Sequence, residues 1–279
     1  MLKQRVLTAL VLLAVLLPAL FYPSFVPLAI VTLALMAAGA WEWGRLNGLG
    51  QGPALLLAVP CVLLCAATWG AGWIVTPPPW LWALAGGAWV LAGTALLRLG
   101  VLGWPRLPRA VRLAGGVLAL WLAWLAMAQA RHIGINFLLS ILCLVWMADV
   151  GAYFAGRALG RRKLAPAISP GKSWEGVWGG MLGVLALALL WMQADGAWGA
   201  QVASVYTRLA AHGGALLVLC VLFLAAMSVV GDLVESLVKR SAGMKDSSGL
   251  LPGHGGVLDR VDALLPVLPL AMMLTTFAA

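Results

Sequence analysis

Long apolar runs, separated by short polar or proline-broken segments, dominate the chain from end to end. The hydrocarbon core of a bilayer is about 30 Å thick and needs about 20 apolar residues per helix, and repeated helical spans satisfy the backbone throughout. The pattern therefore predicts an all-α polytopic integral membrane protein with about nine transmembrane helices. The predicted spans cover residues 6–22, 25–40, 54–75, 80–97, 113–130, 133–154, 177–192, a helix from about 213 through 239, and 261–277.

The segments between these spans are predicted to be turns and loops. The prolines at 77–79 end the third helix, because proline has no backbone N–H to donate. A very short turn at Arg131 and His132 is expected to join the fifth and sixth helices, whereas 156–176 and 193–212 form longer loops. The first run follows basic residues as in a signal peptide, but no cleavage site with a polar mature domain follows, so it is interpreted as the first helix.

Composition excludes an ordinary soluble globule. Of 279 residues, 63% are hydrophobic and only 10% are charged, whereas soluble domains carry roughly 25% charged residues. The mean hydropathy is +1.00. The four cysteines lie in apolar runs, far from the three histidines, so their spacing indicates helix packing and neither a metal site nor a disulfide framework.

The distribution of the cations predicts an orientation. If the N-terminus is cytoplasmic, nine spans place all of the 18 lysines and arginines on the cytoplasmic side except Arg131 and Arg208. This bias is what the positive-inside rule predicts. The net charge of +9 then requires no nucleic acid, because the cations lie at helix ends, where anionic headgroups and phosphates are found.

One polar segment near the C-terminus stands out from this apolar background. Asp232, Glu235 and Lys239 recur at helical spacing, so in a helix they share one face. Asp259 and Asp262 follow a glycine-rich basic loop and repeat a one-turn spacing. Carboxylates in this pattern suit a hard cation such as Mg²⁺, and the cations suit phosphate oxygens. The segment therefore predicts phosphoryl or nucleotidyl transfer.

A second polar segment begins inside the sixth apolar run. An ionisable residue within the membrane pattern, Asp149, is a functional-site candidate, with a hydrogen bond between helices as the alternative. In the basic loop that follows, Ser169 or Ser173 can cap a helix N-terminus and direct its amides, with Lys172, at an anion. A P-loop is excluded, because the upstream glycine is missing and no parallel sheet is predicted.

The spacing of both segments resembles a known family. The C-terminal residues read S-x-x-K-R-x₄-K-D-x₅-P-G-H-G-G-x-x-D-R-x-D, and the earlier loop reads K-L-x-P-x-I-S-P-x-K-S-x-E-G. This arrangement is similar to the diagnostic motif of the phosphatidate cytidylyltransferases, also called CDP-diacylglycerol synthases. The resemblance implies transfer of CMP from CTP to phosphatidic acid, with release of pyrophosphate, at the cytoplasmic face of the bacterial inner membrane. It covers 149–262, whereas the first five helices match only in being apolar.

Together, the resemblance and the residue chemistry give hypotheses for the site. Asp232, Asp259 and Asp262 would bind Mg²⁺. Glu235 would be a near partner of that ion. Lys239 is counted with the catalytic residues and would hold phosphates of CTP or the lipid. Whether a second, monovalent cation completes the site is left open. The residues expected to hold phosphates or to form the opposing wall are Asp149, Lys163, Ser169, Lys172, Ser173, Arg240, Lys245, His254 and Arg260, the last with carboxylate pairing as its alternative.

Two regions are expected along the chain. Residues 1–132 would form an N-terminal scaffold with a candidate homodimer surface. Residues 133–279 would form the catalytic region, with cytoplasmic motif loops at 156–173 and 239–260. The implied partners are CTP, phosphatidic acid and the lipid bilayer.

Three other classes of protein are weighed against this interpretation. A CTP-dependent lipid or polyprenol kinase could share such a C-terminal half, but it would transfer the γ-phosphate and release CDP. A CDP-alcohol phosphotransferase fits poorly, because its D-G-x₂-A-R run is missing. A transporter could bury Asp149 and Asp232 at mid-membrane, but the acidic residues cluster at one face and no inverted repeat is found.

Overall fold

The fold is an almost entirely helical bundle, seen in a computed structural model that describes residues 2–277. The helices are α1 (Leu2–Phe21), α2 (Val26–Leu46), α3 (Gln51–Gly70), α4 (Leu81–Gly103), α5 (Arg109–Ile133), α6 (Ile135–Leu159), α7 (Trp174–Ala197), α8 (Val205–Ala210), α9 (Gly214–Ser241), α10 (Leu258–Val261) and α11 (Leu264–Phe277). A 3₁₀ turn covers Trp104–Arg106, and a two-stranded antiparallel hairpin pairs β1 (Lys163–Ala165) with β2 (Ser169–Ser173).

Within residues 2–277, nine helical segments are long and apolar enough to cross a membrane. The last of them combines α10 and α11 over Leu258–Phe277. The predicted all-α polytopic architecture is therefore confirmed. The burial of these segments differs, since 67% of the last one lies inside the bundle but only 6% of the first. The C-terminal helix is thus central, and α1 presents most of its apolar surface outward.

Several predicted boundaries were wrong. The turn expected at Arg131 and His132 falls later, because α5 continues to Ile133 and the chain breaks at Gly134. Arg131 is tolerated inside the helix because its buried guanidinium donates hydrogen bonds to the carbonyls of Leu20, at 2.8 Å, and Tyr22. These bonds hold the end of α1 against α5.

Two segments predicted as loops contain regular structure. The loop 156–176 contains the β1–β2 hairpin, in which Lys163 pairs with Ser173. The loop 193–212 contains α8, whose N-cap Ser204 accepts a hydrogen bond from the amide of Thr207 at 3.2 Å. Both elements are too short to produce a recognisable hydrophobic period.

A close crossing of α9 and α11 sets the position of the polar C-terminal segment. A Cβ atom on Gly231 would lie 2.5 Å from the carbonyl oxygen of Asp262 and 2.8 Å from Pro266. Only glycine allows this approach. The crossing brings the charged half of α9 beside the residues that precede α11.

Candidate active site

Lys239 lies between two carboxylates at the C-terminal end of α9. Its ammonium contacts Glu235, one turn earlier on the same face, and Asp259 Oδ1 at 2.5 Å. The exposed fractions of the side chains are 12% for Lys239, 4% for Glu235 and 7% for Asp259. The structure therefore brings the two acidic groups of the C-terminal motif together around one buried cation.

The hairpin attaches the second motif to the same helix. Lys172 on β2 forms an ion pair with Asp232 Oδ2 on α9 at 2.6 Å, and Ser236 donates to the other oxygen of Asp232 at 3.2 Å. Asp149 on α6 lies close enough to Asp232 and Lys172 for their charges to interact. The carboxylate of Asp262 is likewise close enough to Asp232, Lys172 and Lys239 for their charges to interact. Segments far apart in sequence thus form one charged cluster.

Asp259 also organises the motif loop between α9 and α10. Its Oδ2 atom accepts hydrogen bonds from the amide of Ser247 at 2.9 Å, the hydroxyl of Ser247 at 2.9 Å and the amide of Gly256 at 2.8 Å. With Lys239 on Oδ1, both of its oxygens are occupied. Asp259 therefore holds the glycine-rich loop in a defined shape.

A carboxylate on α2 holds the same loop and is not among the predicted site residues. Glu42 is fully buried and accepts hydrogen bonds from both Ser247 and Ser248 and from the amides of Val257 and Leu258. One signal could have identified it. Glu42 is an ionisable residue at the end of an apolar run, the same criterion that selected Asp149.

The remaining predicted residues occupy different surroundings. Ser173 is the N-cap of α7 and accepts a hydrogen bond from the amide of Gly176 at 3.2 Å, as predicted for Ser169 or Ser173. Lys163 and Ser169 lie on the hairpin. Among the described residues, neither has a side-chain hydrogen bond or an ion pair with the charged cluster.

The predicted phosphate-binding cations of the C-terminal motif border the loop. Arg240 donates to the carbonyls of Ile168 and Met244, each at 3.4 Å. Arg260 donates to the carbonyl of His254 at 3.1 and 2.6 Å, and in the described part of the chain it forms no ion pair with a carboxylate. The Nδ1 atom of His254 is buried without a hydrogen-bond partner there.

Lys245 lines a cavity of about 400 Å³ beside the motif loop. Trp41 and Arg45 of α2 contribute to the same lining, as do the loop residues 246–249. An adjoining cavity of about 310 Å³ shares Arg45 and is also lined by Arg109 and Arg112. The loop is therefore bordered by cations from both halves of the chain.

The carboxylates offer the hard oxygen donors that a divalent cation prefers. Both carboxylate oxygens of Glu235 are buried without a hydrogen-bond partner, and only the ionic contact of Lys239 balances them. Across residues 2–277, however, no three His, Cys, Asp or Glu residues are already arranged to hold a metal ion. The donor chemistry fits a cation, and in this arrangement Lys172 and Lys239 supply the positive charge.

These features bring carboxylates, cations and a glycine-rich loop together in a bundle of apolar helices, and comparison with known proteins identifies the family of the chain. The family model described as "Cytidylyltransferase family" matches residues 3–278. The chain belongs to this family, which confirms the resemblance seen in the motifs.

Individual relatives within this family share one name, phosphatidate cytidylyltransferase. The chain is 41% identical over 276 residues to a phosphatidate cytidylyltransferase of Pseudomonas aeruginosa, covering 96% of this chain and 95% of the relative. It is 35% identical over 302 residues to one of Haemophilus influenzae, covering 96% of each. A shorter match to one of Bacillus subtilis is 42% identical over 136 residues, covering 49% of this chain and 46% of the relative.

Proposed function

We propose that the protein transfers CMP from CTP to phosphatidic acid, giving CDP-diacylglycerol and pyrophosphate. The observation that carries the proposal is the single charged cluster formed by α9, the hairpin and the start of α10. Lys172 and Lys239 join its parts through Asp232 and Asp259. The nearly full-length relatives bear the name phosphatidate cytidylyltransferase, and the family model spans the same region.

The reaction brings two anions together. An oxygen of the lipid phosphate attacks the α-phosphorus of CTP, a new P–O bond forms, and the bond to the β-phosphate oxygen breaks to release pyrophosphate. A phosphate monoester is already largely ionised near neutral pH, so no obligatory general base is needed. What the site must supply is fixed positive charge and alignment.

The lysines of the cluster suit this task. We assign Lys172 and Lys239 to the phosphates of the reacting groups. Ion pairs with carboxylates hold each ammonium in a fixed position, so it is placed before the substrates bind. Arg240, Lys245 and Arg260 border the loop and would hold the remaining phosphate oxygens. His254 would hold phosphate with them. The residues assigned to the wall of the same site are Asp149, Lys163, Ser169 and Ser173.

Magnesium is part of the proposal. Asp232, Asp262 and Glu235 would hold the ion, because Glu235 has buried oxygens without hydrogen-bond partners and the charge of Asp262 interacts with the charges of both Glu235 and Asp232. Asp259 could join this set only where Lys239 and the loop release it. When bound, the ion would neutralise phosphate charge. A monovalent cation beside it remains a prediction.

The membrane arrangement follows the same reasoning. With both motif segments on the cytoplasmic side, CTP reaches the site from the cytosol and the lipid enters from the bilayer. The bacterial origin of the relatives supports the inner membrane as the location. A homodimer formed through residues 1–132 stays a prediction.

The experiment that tests the proposal follows two labels. Purified protein in lipid nanodiscs is given phosphatidic acid, Mg²⁺ and CTP labelled separately at the α- and γ-phosphates. We expect the α label in the lipid and the γ label in pyrophosphate. The γ label in the lipid would instead identify a kinase, and no transfer of either label would contradict an enzyme of this class.

A further inference from the structure

Glu42 is the only Asp or Glu residue in positions 1–148 of the sequence, and its side chain is fully buried. Its Oε1 atom accepts from the Ser248 hydroxyl at 2.5 Å and the Val257 amide at 2.9 Å. Its Oε2 atom accepts from the Ser247 hydroxyl at 3.1 Å and the Leu258 amide at 2.8 Å. All four donors belong to the motif loop or to the first turn of α10, more than 200 positions away in sequence.

A buried carboxylate is costly unless its charge is compensated. Glu42 is 0% exposed, and no lysine or arginine of the described chain forms an ion pair with it. In the described part of the chain, four neutral donors supply all of its hydrogen bonds. This arrangement is sensitive to movement of the loop, because each lost donor leaves one oxygen of a buried carboxylate with a single hydrogen bond.

The same loop is held from its other side by Asp259. Ser247 lies between the two carboxylates, with its hydroxyl 3.1 Å from Glu42 and 2.9 Å from Asp259. That hydroxyl has one hydrogen, so the two acceptors share it. A Cβ atom on Gly256 would lie 2.3 Å from Glu42 Oε1 and 2.1 Å from the Ser247 hydroxyl, so only glycine fits between them.

A second contact from the N-terminal half supports the same conclusion. The hydroxyl of Thr8 on α1 donates to the carbonyl of Pro252 at 2.9 Å, and Gly253 packs against Arg5. The loop is therefore held by α1 and α2 as well as by α9. The N-terminal helices contact the part of the chain that carries the proposed phosphate ligands.

We propose that Glu42 is a positioning residue for the reaction: it fixes the motif loop, and through the loop Asp259 and Lys239, in the geometry that transfer requires. The proposal rests on the proposed function of this loop. It gives the N-terminal helices a part in positioning the motif loop, beyond their part in membrane insertion. Glu42 itself need not touch the substrates.

The test compares two buried carboxylates. Asp195 is also almost fully buried and accepts hydrogen bonds from Asn136, Ser204 and Thr207. Within residues 2–277 its hydrogen bonds go to α6, α8 and the residue that caps α8, and none goes to the motif loop, so Asp195→Asn is the matched control for Glu42→Gln. Each variant is assayed for kcat and KM with CTP, for thermal stability, and for amide hydrogen exchange across 245–258.

We expect Glu42→Gln to lower kcat by roughly tenfold to a hundredfold, because small displacements of catalytic groups have effects of this size. Amide exchange at Ser247 and at 256–258 should become faster. Asp195→Asn should keep kcat within about twofold of the parent even where it lowers thermal stability, since distant sites act independently. Full activity of Glu42→Gln, or a loss of activity with unchanged exchange in the loop, would overturn the proposal.

A milder variant keeps the test informative if Glu42→Gln does not fold. Ser248→Ala removes one donor and should lower kcat by a smaller factor, with faster exchange confined to the loop. In a folded Glu42→Gln background the same change should add nothing. The exchange measurement needs no substrate, so it reports on the loop even if the reaction is not the one proposed.

Discussion

Replacing Lys239 by methionine tests the electrostatic design of the cluster. The substitution keeps the length of the side chain and removes its charge, which leaves Glu235 and Asp259 buried without their shared cation. Removing one member of a buried ion pair typically costs about 3–5 kcal/mol of folding free energy. We expect Lys239→Met to lower the folding free energy by an amount in that range and to abolish the transfer of CMP.

A double variant separates stability from catalysis. Changing Glu235 to glutamine in the Lys239→Met background removes one uncompensated charge, and neutral replacement of a buried pair is often close to neutral for stability. Much of the lost stability should therefore return, while activity should not. The 15 tryptophans make fluorescence-monitored unfolding in detergent a suitable measurement. The reasoning is refuted if Lys239→Met unfolds with the parent's free energy, or if the double variant is less stable than the single one.

Three further predictions concern the fold around the site and the orientation of the chain in the membrane. Gly231→Leu should separate α9 from α11 and lower both stability and activity, whereas Gly214→Ala, which has open space around it, should change neither. Ser173→Ala removes the N-cap of α7 and should cost about 1 kcal/mol in the same unfolding measurement; an unchanged free energy would contradict the capping role. Lys245→Cys should react with a membrane-impermeant maleimide only in inside-out vesicles, whereas reaction in intact cells would reverse the proposed orientation.

The helical framework could be predicted from sequence because its signal is local. Apolar runs of sufficient length define the spans, and the spacing of Asp232, Glu235 and Lys239 defines one face of α9. The N-cap of α7 could be predicted as Ser169 or Ser173, and the structure selects Ser173, which is three positions before the amide that it caps. Helices and caps that depend on residues close in sequence can therefore be predicted from the sequence.

What the sequence could not show depends on contacts between distant segments. Nothing near Glu42 in the sequence indicates that its donors lie in the motif loop. The partner of Lys172 could not be chosen among the carboxylates before the hairpin and α9 were seen to meet. Arg131 was predicted to lie in a turn, because nothing near it in the sequence shows that the end of α1 supplies carbonyl acceptors for its guanidinium inside α5.

The central claim is that the two motif segments form one catalytic centre, and a double-mutant cycle on Lys172 and Asp232 tests it most directly. Both side chains are partly exposed, at 26% and 28%, so their ion pair contributes about 0–1 kcal/mol to stability and the variants should fold. We predict that Lys172→Met and Asp232→Asn each lower kcat by roughly a hundredfold or more, and that the double variant is no worse than the weaker single one, because residues that act as a unit are not additive. Losses that multiply, or either single variant with normal turnover, would contradict the account.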